Sequence, residues 1–450
     1  MNTILLQPTD VLFFRDGRPM GGSLAGHGAA WPLPTVTDAA LHAALHRSSI
    51  QGHGHDQRHG AERIAKDSRR FGSLVTAGPF PVSPKNIWYL PRPLDLTDDT
   101  LAPTLLPTPL GGSSSLPSPL RYAIAGSAAP TKDSPAKPWL SQDAYQHYLS
   151  DGTVTLEDPE ALADSDFSDA ESTIGIGIDS ETQTQDGERI YSAHYLRLRD
   201  NWRLGLFAKT DEKQVPDPDL VPALFRDSGT IIVGGQQRVC SARIDSSNAT
   251  LPLPRDRTND FNREGRCLVK WVLLTPAVWP AIKDRDSDGK SILDKNGRVI
   301  EAHTGGWLPN WVRQSDGKVM LRAGERQRRS YSLKHSRGFD PSNSTEISAH
   351  LVAALVPKPI VVTGWALPNE AAERPEGGAK PTHLAVPAGA VYYFEAASEP
   401  DAKNLASALN WHGSGDGSDI KNRRSTLLGE KGFGLGVCGT WQFLGEKETA

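Results

Sequence analysis

The chain has 450 residues, of which 38% are hydrophobic and 23% are charged, a composition typical of a water-soluble protein with two or three domains. Its formal net charge of −4 excludes a protein that binds nucleic acid through an overall positive charge. Any site for a polyanion must therefore come from a local cluster of cations. The high counts of glycine (42) and proline (34) predict many turns, short strands and long loops.

Cysteine use and the N-terminus both indicate a reducing, cytoplasmic location. Cys240, Cys267 and Cys438 are far apart and form no CxxC pair, which argues against a disulfide framework and against a structural zinc site. The first residues lack the charged and apolar regions of a signal peptide, and no run of about 18 apolar residues occurs. We predict a protein that is neither exported nor membrane-spanning, with no cofactor and no metal.

The first elements in chain order are a strand, a turn and a helix. Residues 4–6 and 11–14 are typical of strands, and the turn that follows spans residues 15–19. Apolar residues repeat at helical spacing over residues 40–45, and we predict that Thr37 caps this helix.

Residues 97–170 are rich in proline, serine, alanine and aspartate, which favours a long loop or insertion with one short helix near residues 143–149. Two alternating segments joined by a polar turn then predict a β-hairpin. The remaining elements of this half are predicted as a strand, a short helix and two strands that flank Gly234 and Gly235. Their ranges are 173–178 and 191–198 for the hairpin, then 202–208, 219–225, 230–233 and 239–244.

A similar succession follows in the second half. A strand is predicted at the start, followed by a polar, basic insertion over residues 281–345, further strands, a helix and a closing strand. The ranges are 267–275, 360–365, 390–395, 401–409 and 437–444. This order predicts an α+β protein with two ferredoxin-like (RRM-type, βαββαβ) domains, residues 1–248 and 249–450.

The glycine-rich segment before the last strand is the clearest motif. Gly434 to Gly439 spells GxGxxG, but the dinucleotide fingerprint needs a following helix and a later acidic residue, and the chain reaches Ala450 too soon. Closely spaced glycines beside cations suit a polyanion such as a phosphate backbone, and a merely flexible turn is the alternative. The residues of this segment that we predict to bind such a backbone are Arg423, Arg424, Lys431, Gly432, Phe433, Gly434, Leu435 and Gly436.

Several blocks in the correct order resemble the third Cmr subunit, a RAMP protein of type III-B CRISPR effector complexes. The two most specific blocks are residues 11–19 (VLFFRDGRP) and residues 432–441 (GFGLGVCGTW), and weaker ones include residues 234–238 (GGQQR). Met20, His194 and Gln236 depart from the family pattern, so the contacts made at those positions are in doubt.

The resemblance implies a non-catalytic subunit that holds the 5′ handle of the CRISPR RNA. It also implies docking to the large polymerase-like Cmr subunit and to the backbone RAMP subunits. A single-stranded handle is best bound by backbone amides, arginine forks and planar side chains. The further residues predicted to bind RNA are Arg15, Asp16, Gly17, Arg18, His27, Gly234, Gly235, Gln236 and Arg238.

Alternatives remain open for some of these residues. Asp16 can brace the turn by pairing with Arg15 or Arg18, and Gly234–Gly235 can be a simple bulge in a hairpin. His27 lies between two glycines and is the one candidate base for a metal-independent CRISPR RNA processing endoribonuclease. A protein-binding scaffold without RNA contact is the third hypothesis.

Three further clusters have simpler explanations. The histidines at 53, 55 and 59 follow a helix without other metal-ligating partners, which favours a solvated loop. The aspartates at 284, 286 and 288 match an EF-hand loop until Lys295 replaces its bidentate glutamate, so we interpret them as a hairpin turn. The basic run over residues 322–337 is either a solvated face or a nucleic-acid contact.

Overall fold

The computed structural model describes residues 1–14, 24–26, 31–48, 73–97, 103–109, 115–126, 136–150, 160–178, 181–211, 217–225, 229–246, 249–256, 260–286, 288, 290–323, 345–366 and 378–445. Strands dominate these residues and helices are few, so the chain is an α+β protein. No helix in this part of the chain is long and apolar enough to cross a membrane.

The helices and strands alternate irregularly along the chain. The helices are α1 (Pro34–Arg47), α2 (Gln142–Leu149), α3 (Asp164–Phe167), α4 (Val221–Leu224) and α5 (Glu399–Leu409). The strands of the first half are β1 (Asn2–Pro8), β2 (Leu24–Gly26), β3 (Val75–Val82), β4 (Tyr89–Pro91), β5 (Leu105–Pro109), β6 (Tyr122–Gly126), β7 (Trp139–Ser141), β8 (Ala161–Leu162), β9 (Ser168–Ile178), β10 (Gln185–Leu198), β11 (Arg203–Lys209), β12 (Gly229–Ile232) and β13 (Val239–Asp245). Those of the second half are β14 (Asn262–Arg263), β15 (Arg266–Leu273), β16 (Ile282–Lys283), β17 (Glu301–His303), β18 (Arg322–Ala323), β19 (Thr345–Glu346), β20 (Ala349–Leu355), β21 (Ile360–Val362), β22 (Trp365–Ala366), β23 (Gly378–Ala379), β24 (His383–Ala385), β25 (Val391–Ala396) and β26 (Gly436–Gly439).

The N-terminal half is built on a five-stranded antiparallel sheet in the order β12-β13-β1-β11-β3. Successive residues of a strand point to opposite faces, so each face of β1 can be assigned. Ile4 and Leu6 pack against Leu41 and Leu45 of α1, whereas Leu5 lies on the other face. Helix α1 begins at Pro34, where proline is compatible with the first helical turn.

The C-terminal half is built on a second antiparallel sheet, in which β15 lies between β25 on one side and β14 and β26 on the other, and β20 pairs with β25. Helix α5 covers one face, where Trp271 and Tyr392 pack with Leu405. On the opposite face Val272 and Tyr393 join the same hydrophobic cluster as Leu5 of β1. The two sheets therefore share one core, and each has its helix on the outside.

A charged group lies inside this shared core. Lys270 of β15 is 2% exposed, and its Nζ is 3.3 Å from Oδ2 of the fully buried Asp95. The hydroxyl of Tyr148 on α2 donates to the same carboxylate at 2.8 Å. A buried charge is tolerated when it is paired and hydrogen-bonded. These contacts fix α2 against the C-terminal sheet.

Most predicted elements of both sheets are confirmed, including the β9–β10 hairpin and helix α5. Three expectations were wrong. Residues 11–14 do not form a strand and contain only an isolated bridge between Leu12 and Leu196. Thr37 does not cap α1, because the cap is Leu33 and the Thr37 hydroxyl donates to the Pro34 carbonyl inside the helix. Residues 97–170 contain the predicted short helix, α2, but their described part also contains α3 and the four short strands β5 to β8, so they are not mainly a loop.

Candidate nucleic-acid interface

A cleft of about 1730 Å³ lies between α1, strand β12 and the β21–β24 hairpin. Small and aliphatic side chains form its walls, among them Ala39 and Ala43 of α1 and Ile232 of β12. Because these side chains are short, a ligand can approach the backbone closely. Phe13 and Phe14 also line the cleft, so it lies beside the N-terminal sequence block.

The charges along the cleft have one sign. Among the described residues that line it there is no aspartate or glutamate, whereas Arg47, Lys380, Lys431 and His383 are present. A concave surface with cations and without acids concentrates positive potential and suits a polyanion. Arg47 is exposed at the end of α1.

The Gly234–Gly235 turn lies directly against the N-terminal block. The Gly235 amide donates to the Phe13 carbonyl at 2.9 Å. Gly234 has a φ of +78°, and a Cβ atom there would lie 2.5 Å from the Phe13 carbonyl oxygen. Glycine is thus required at this turn because the backbone of Phe13 lies against it, whether or not a ligand also binds there.

The neighbouring side chains form a polar network at the edge of the cleft. Arg238 pairs with Asp10 at 3.4 Å and donates to the Gln236 side-chain oxygen at 3.1 Å. Its guanidinium lies 5.1 Å from the ring centroid of Tyr195. Hydrogen bonds from Thr173 and then from Gln236 lower the pKa of the Tyr195 hydroxyl, although burial acts in the opposite direction. Arg238 therefore has partners within the chain, and exposed Gln236 faces the cleft.

The C-terminal glycine loop has a different environment. Gly432 has a φ of +92°, and a Cβ atom there would lie 2.7 Å from Cα of Ala77 in β3. Gly434 has a φ of +79°, and a Cβ atom there would overlap the Ser425 amide nitrogen. The residues from Gly432 to Gly436 are all buried, so this loop fills a joint between the two halves.

Most predicted side chains of this loop point into the protein. Phe433 and Leu435 are fully buried. Arg424 donates from Nε to the Ala408 carbonyl at 2.6 Å, and burial lowers its pKa to about 9. Arg423 is half-buried. These positions offer little surface to a ligand in this conformation of the chain.

Lys431 connects the loop to the cleft. Its Nζ lies 2.9 Å from Oδ2 of Asp38 on α1, and it also lines the cleft. Burial raises the pKa of the Asp38 carboxyl, and the charge of Lys431 opposes that shift. The cation is therefore already balanced by a carboxylate of the chain.

The structure brings together Phe13, Phe14, the residues 234–236 and Lys431, which are widely separated in sequence. Arg15, Asp16, Gly17, Arg18 and His27 lie outside the described residues, as do the three clustered histidines and most of the basic run after Arg322. The aspartates at 284–288 do form a hairpin turn, as predicted. No cluster of three or more potential metal ligands occurs in the described ranges.

The sequence did not identify Arg47, Lys380, His383 or Tyr195. The first three meet only because β21 and β24 of the C-terminal half approach α1 of the N-terminal half. No local pattern could have shown that proximity.

Comparison with known proteins finds one matching family model and several similar solved structures. Residues 4–441 match the model of the family described as CRISPR-associated protein (Cas_Cmr3). The chain is similar to a chain in the cryo-EM structure of the type III-B Cmr-beta bound to cognate target RNA, with 14% identity, a TM-score of 0.38, and coverage of 87% of this chain and 86% of that one. It is also similar to a chain in the crystal structure of the Csm3-Csm4 subcomplex in the type III-A CRISPR-Cas interference complex, with 10% identity, a TM-score of 0.34, and coverage of 87% and 92%. No curated protein matches the sequence.

Proposed function

Because the chain belongs to the Cas_Cmr3 family of CRISPR-associated proteins, we propose that it is a non-catalytic, RNA-binding subunit of a type III-B effector complex. In this proposal the cleft holds the 5′ handle of the CRISPR RNA. The chain docks to the large polymerase-like subunit and to a backbone RAMP subunit of the complex.

The observation that carries the proposal is the cleft itself, whose described lining residues include cations but no aspartate or glutamate. Single-stranded RNA is bound by cations that follow its phosphates and by planar or apolar surfaces for its unstacked bases. Arg47 and Lys380 supply the first, and half-buried apolar side chains of the cleft such as Ala43 and Ile232 supply the second. Arg15 and Arg18 follow Phe14 closely in the sequence and are proposed as further phosphate ligands.

The sheet orders support a ferredoxin-like interpretation of both halves. In such a unit the four strands lie in the order fourth, first, third, second, which corresponds to β13-β1-β11-β3 and to β26-β15-β25-β20. The first half has both helices, α1 and the short α4. The second half has α5, and the described residues between β15 and β20 contain no helix.

The test is RNA retention in the reconstituted effector complex. Arg47→Ala combined with Lys380→Ala is expected to weaken handle binding, and the salt slope should fall by about 0.7 for each phosphate contact removed from a single strand. Lys85→Ala combined with Lys403→Ala, two exposed lysines outside the cleft lining, is the matched control.

Crosslinking of the handle gives the decisive outcome. If no handle nucleotide crosslinks to residues that line the cleft, the proposed RNA site is wrong. Unchanged RNA retention in the double variant would favour the protein-binding scaffold instead.

A further inference from the structure

The segment between residues 282 and 303 contains an internal repeat that the cleft does not use. Asp286-Ser-Asp-Gly-Lys-Ser-Ile292 and Asp294-Lys-Asn-Gly-Arg-Val-Ile300 share the pattern Asp-x-(Asp/Asn)-Gly-(Lys/Arg)-x-Ile. Each copy is a turn between extended segments, with Arg285 opposite Ser291 and Leu293 opposite Val299. We call residues 282–303 the ribbon.

The two turns have the same hydrogen bonds. Asp286 Oδ1 accepts from the amides of Asp288 at 3.0 Å and Lys290 at 2.9 Å. Asp294 Oδ1 accepts from the amides of Asn296 and Arg298, both at 2.8 Å. These aspartates therefore serve to hold the turns, an arrangement typical of Asx-turns.

The base of the ribbon is firmly attached to the C-terminal half. His303 is buried, with Nδ1 accepting from the Gly305 amide at 2.9 Å and Nε2 bonded to the Val312 carbonyl at 2.9 Å. Desolvation lowers the pKa of this imidazole, so the neutral form is favoured. His303 is also the last residue of β17, and it pairs with Ile282 of β16. A rigid base lowers the entropic cost of presenting the ribbon to a partner.

The outer part of the ribbon exposes an apolar pair between cations. Leu293 is 55% exposed and Val299, which lies opposite it, is 37% exposed. The turn that joins them carries Lys295 and Arg298, both exposed and neither paired with a carboxylate among the described residues. We call these four side chains the ribbon patch. The two aliphatic side chains, which lie opposite each other, offer apolar area that can be buried against a partner.

We propose that the ribbon patch is a docking surface for another protein subunit of the effector complex. The partner surface would be an apolar patch bordered by carboxylates, which complements Leu293 and Val299 flanked by Lys295 and Arg298. This inference rests on the proposed function for the identity of the complex, but it involves a different surface from the cleft.

The composition of the ribbon favours protein over RNA as the partner. Its five cations are balanced by five acidic residues, so the ribbon has no net charge with which to attract a polyanion. It also contains no tyrosine, tryptophan or phenylalanine on which a base could stack. Aliphatic side chains, in contrast, gain free energy by burial against another apolar surface.

Photocrosslinking in the assembled complex tests the proposal directly. A photoreactive amino acid is placed at position 293 of the full-length chain, and the same amino acid at position 85 is the control. The expected result is a crosslink from position 293 to an acid-bordered apolar site on another protein subunit. Crosslinks only to RNA, only to a second copy of this chain, or to nothing would overturn the proposal.

A binding measurement tests the chemistry. Full-length chain is titrated into a complex assembled from the remaining subunits, and Leu293→Ser combined with Val299→Ser is expected to weaken binding about tenfold. Lys295→Glu combined with Arg298→Glu should weaken binding most at low salt, since exposed charges are screened as salt rises. Lys85→Glu is the charge control. Wild-type affinity in both double variants would contradict the proposal.

RNA retention is measured in the same samples. If the ribbon variants bind the complex weakly but their assembled fraction retains RNA normally, the docking surface is supported independently of the cleft. If a cleft variant loses RNA but keeps the crosslink from position 293, the RNA site is supported without any effect on the docking surface. Each proposal can therefore be wrong while the other is right.

Discussion

Two glycine-rich turns of this chain have similar sequences but different surroundings. Gly234–Gly235 borders an open cleft with no acidic side chain among its described lining residues, whereas Gly432–Gly436 is buried in the joint between the halves. In both places a glycine with positive φ admits a neighbouring backbone, from Phe13 in the first and from Ala77 in the second. Glycine spacing thus indicates a close approach, but only exposure and charge indicate whether the approaching group is a ligand or the chain itself.

The largest effect is expected from Gly434→Ala. The substitution imposes a positive φ on alanine and an overlap with the Ser425 amide, so we expect a loss of about 3 to 5 kcal/mol in the free energy of unfolding. Denaturant unfolding of the full chain measures it. Gly265→Ala is the control, because Gly265 has a φ of +82° but a Cβ atom there would meet nothing within 4 Å, and it should lose only about 1 kcal/mol. Equal losses would show that the joint is looser than described.

An intermediate effect is expected from Lys431→Met, which leaves the Asp38 carboxylate buried without its cation. At pH 7 we expect a loss of about 1 to 3 kcal/mol. The pKa of Asp38 is already raised above 3.8 by burial, so its contribution to stability is greatest below the unfolded-state pKa and decreases as pH rises through the folded-state value. The variant should therefore approach wild-type stability in acid, where the carboxyl is neutral.

Unfolding free energies between pH 4 and pH 8 check this prediction. Lys403→Met removes an exposed pair with Glu399 and should change stability by less than about 1 kcal/mol at any pH. A Lys431→Met deficit that does not depend on pH would assign the effect to lost packing, not to charge.

The smallest effect is expected from Gly235→Ala. Its added Cβ would meet the Phe13 ring, 2.8 Å from Cδ1, and a side chain can shift where a backbone cannot. We expect a loss of about 1 kcal/mol or less. RNA retention in the complex should fall more than stability does, because the ring moves within the cleft. If RNA retention falls only as much as stability does, the Gly234–Gly235 turn makes a purely internal contact, as the buried Gly432–Gly436 loop does.

Local sequence patterns were sufficient to predict most strands of the two main sheets. The alternation in β9 and β10 and the helical spacing before Leu409 depend on nearby residues, and both elements were confirmed. The short strands within residues 97–170 were missed because a strand such as β7 is fixed by its pairing with β4 and β8, which lie far from it along the chain. Composition cannot show such a contact.

The candidate site was predicted only in part for the same reason. Phe13 and the residues around Gly234 could be selected from their own motifs, and the structure places them together. Arg47 and Lys380 could not, since each is an ordinary surface cation in its local sequence. The burial of Phe433 and Arg424 was equally hidden, because a glycine-rich segment with cations has the same sequence whether it faces water or a neighbouring sheet.

The position of the glycine joint has a consequence for biosynthesis. Residues 431–434 are translated after Asp38, Thr76 and Ala77, which they contact in the folded chain. This edge of the N-terminal half therefore leaves the ribosome uncovered, and the Asp38 carboxylate is open to water until residues 431–434 have been made. The joint between the two halves can close only when the last stretch of the described chain is present.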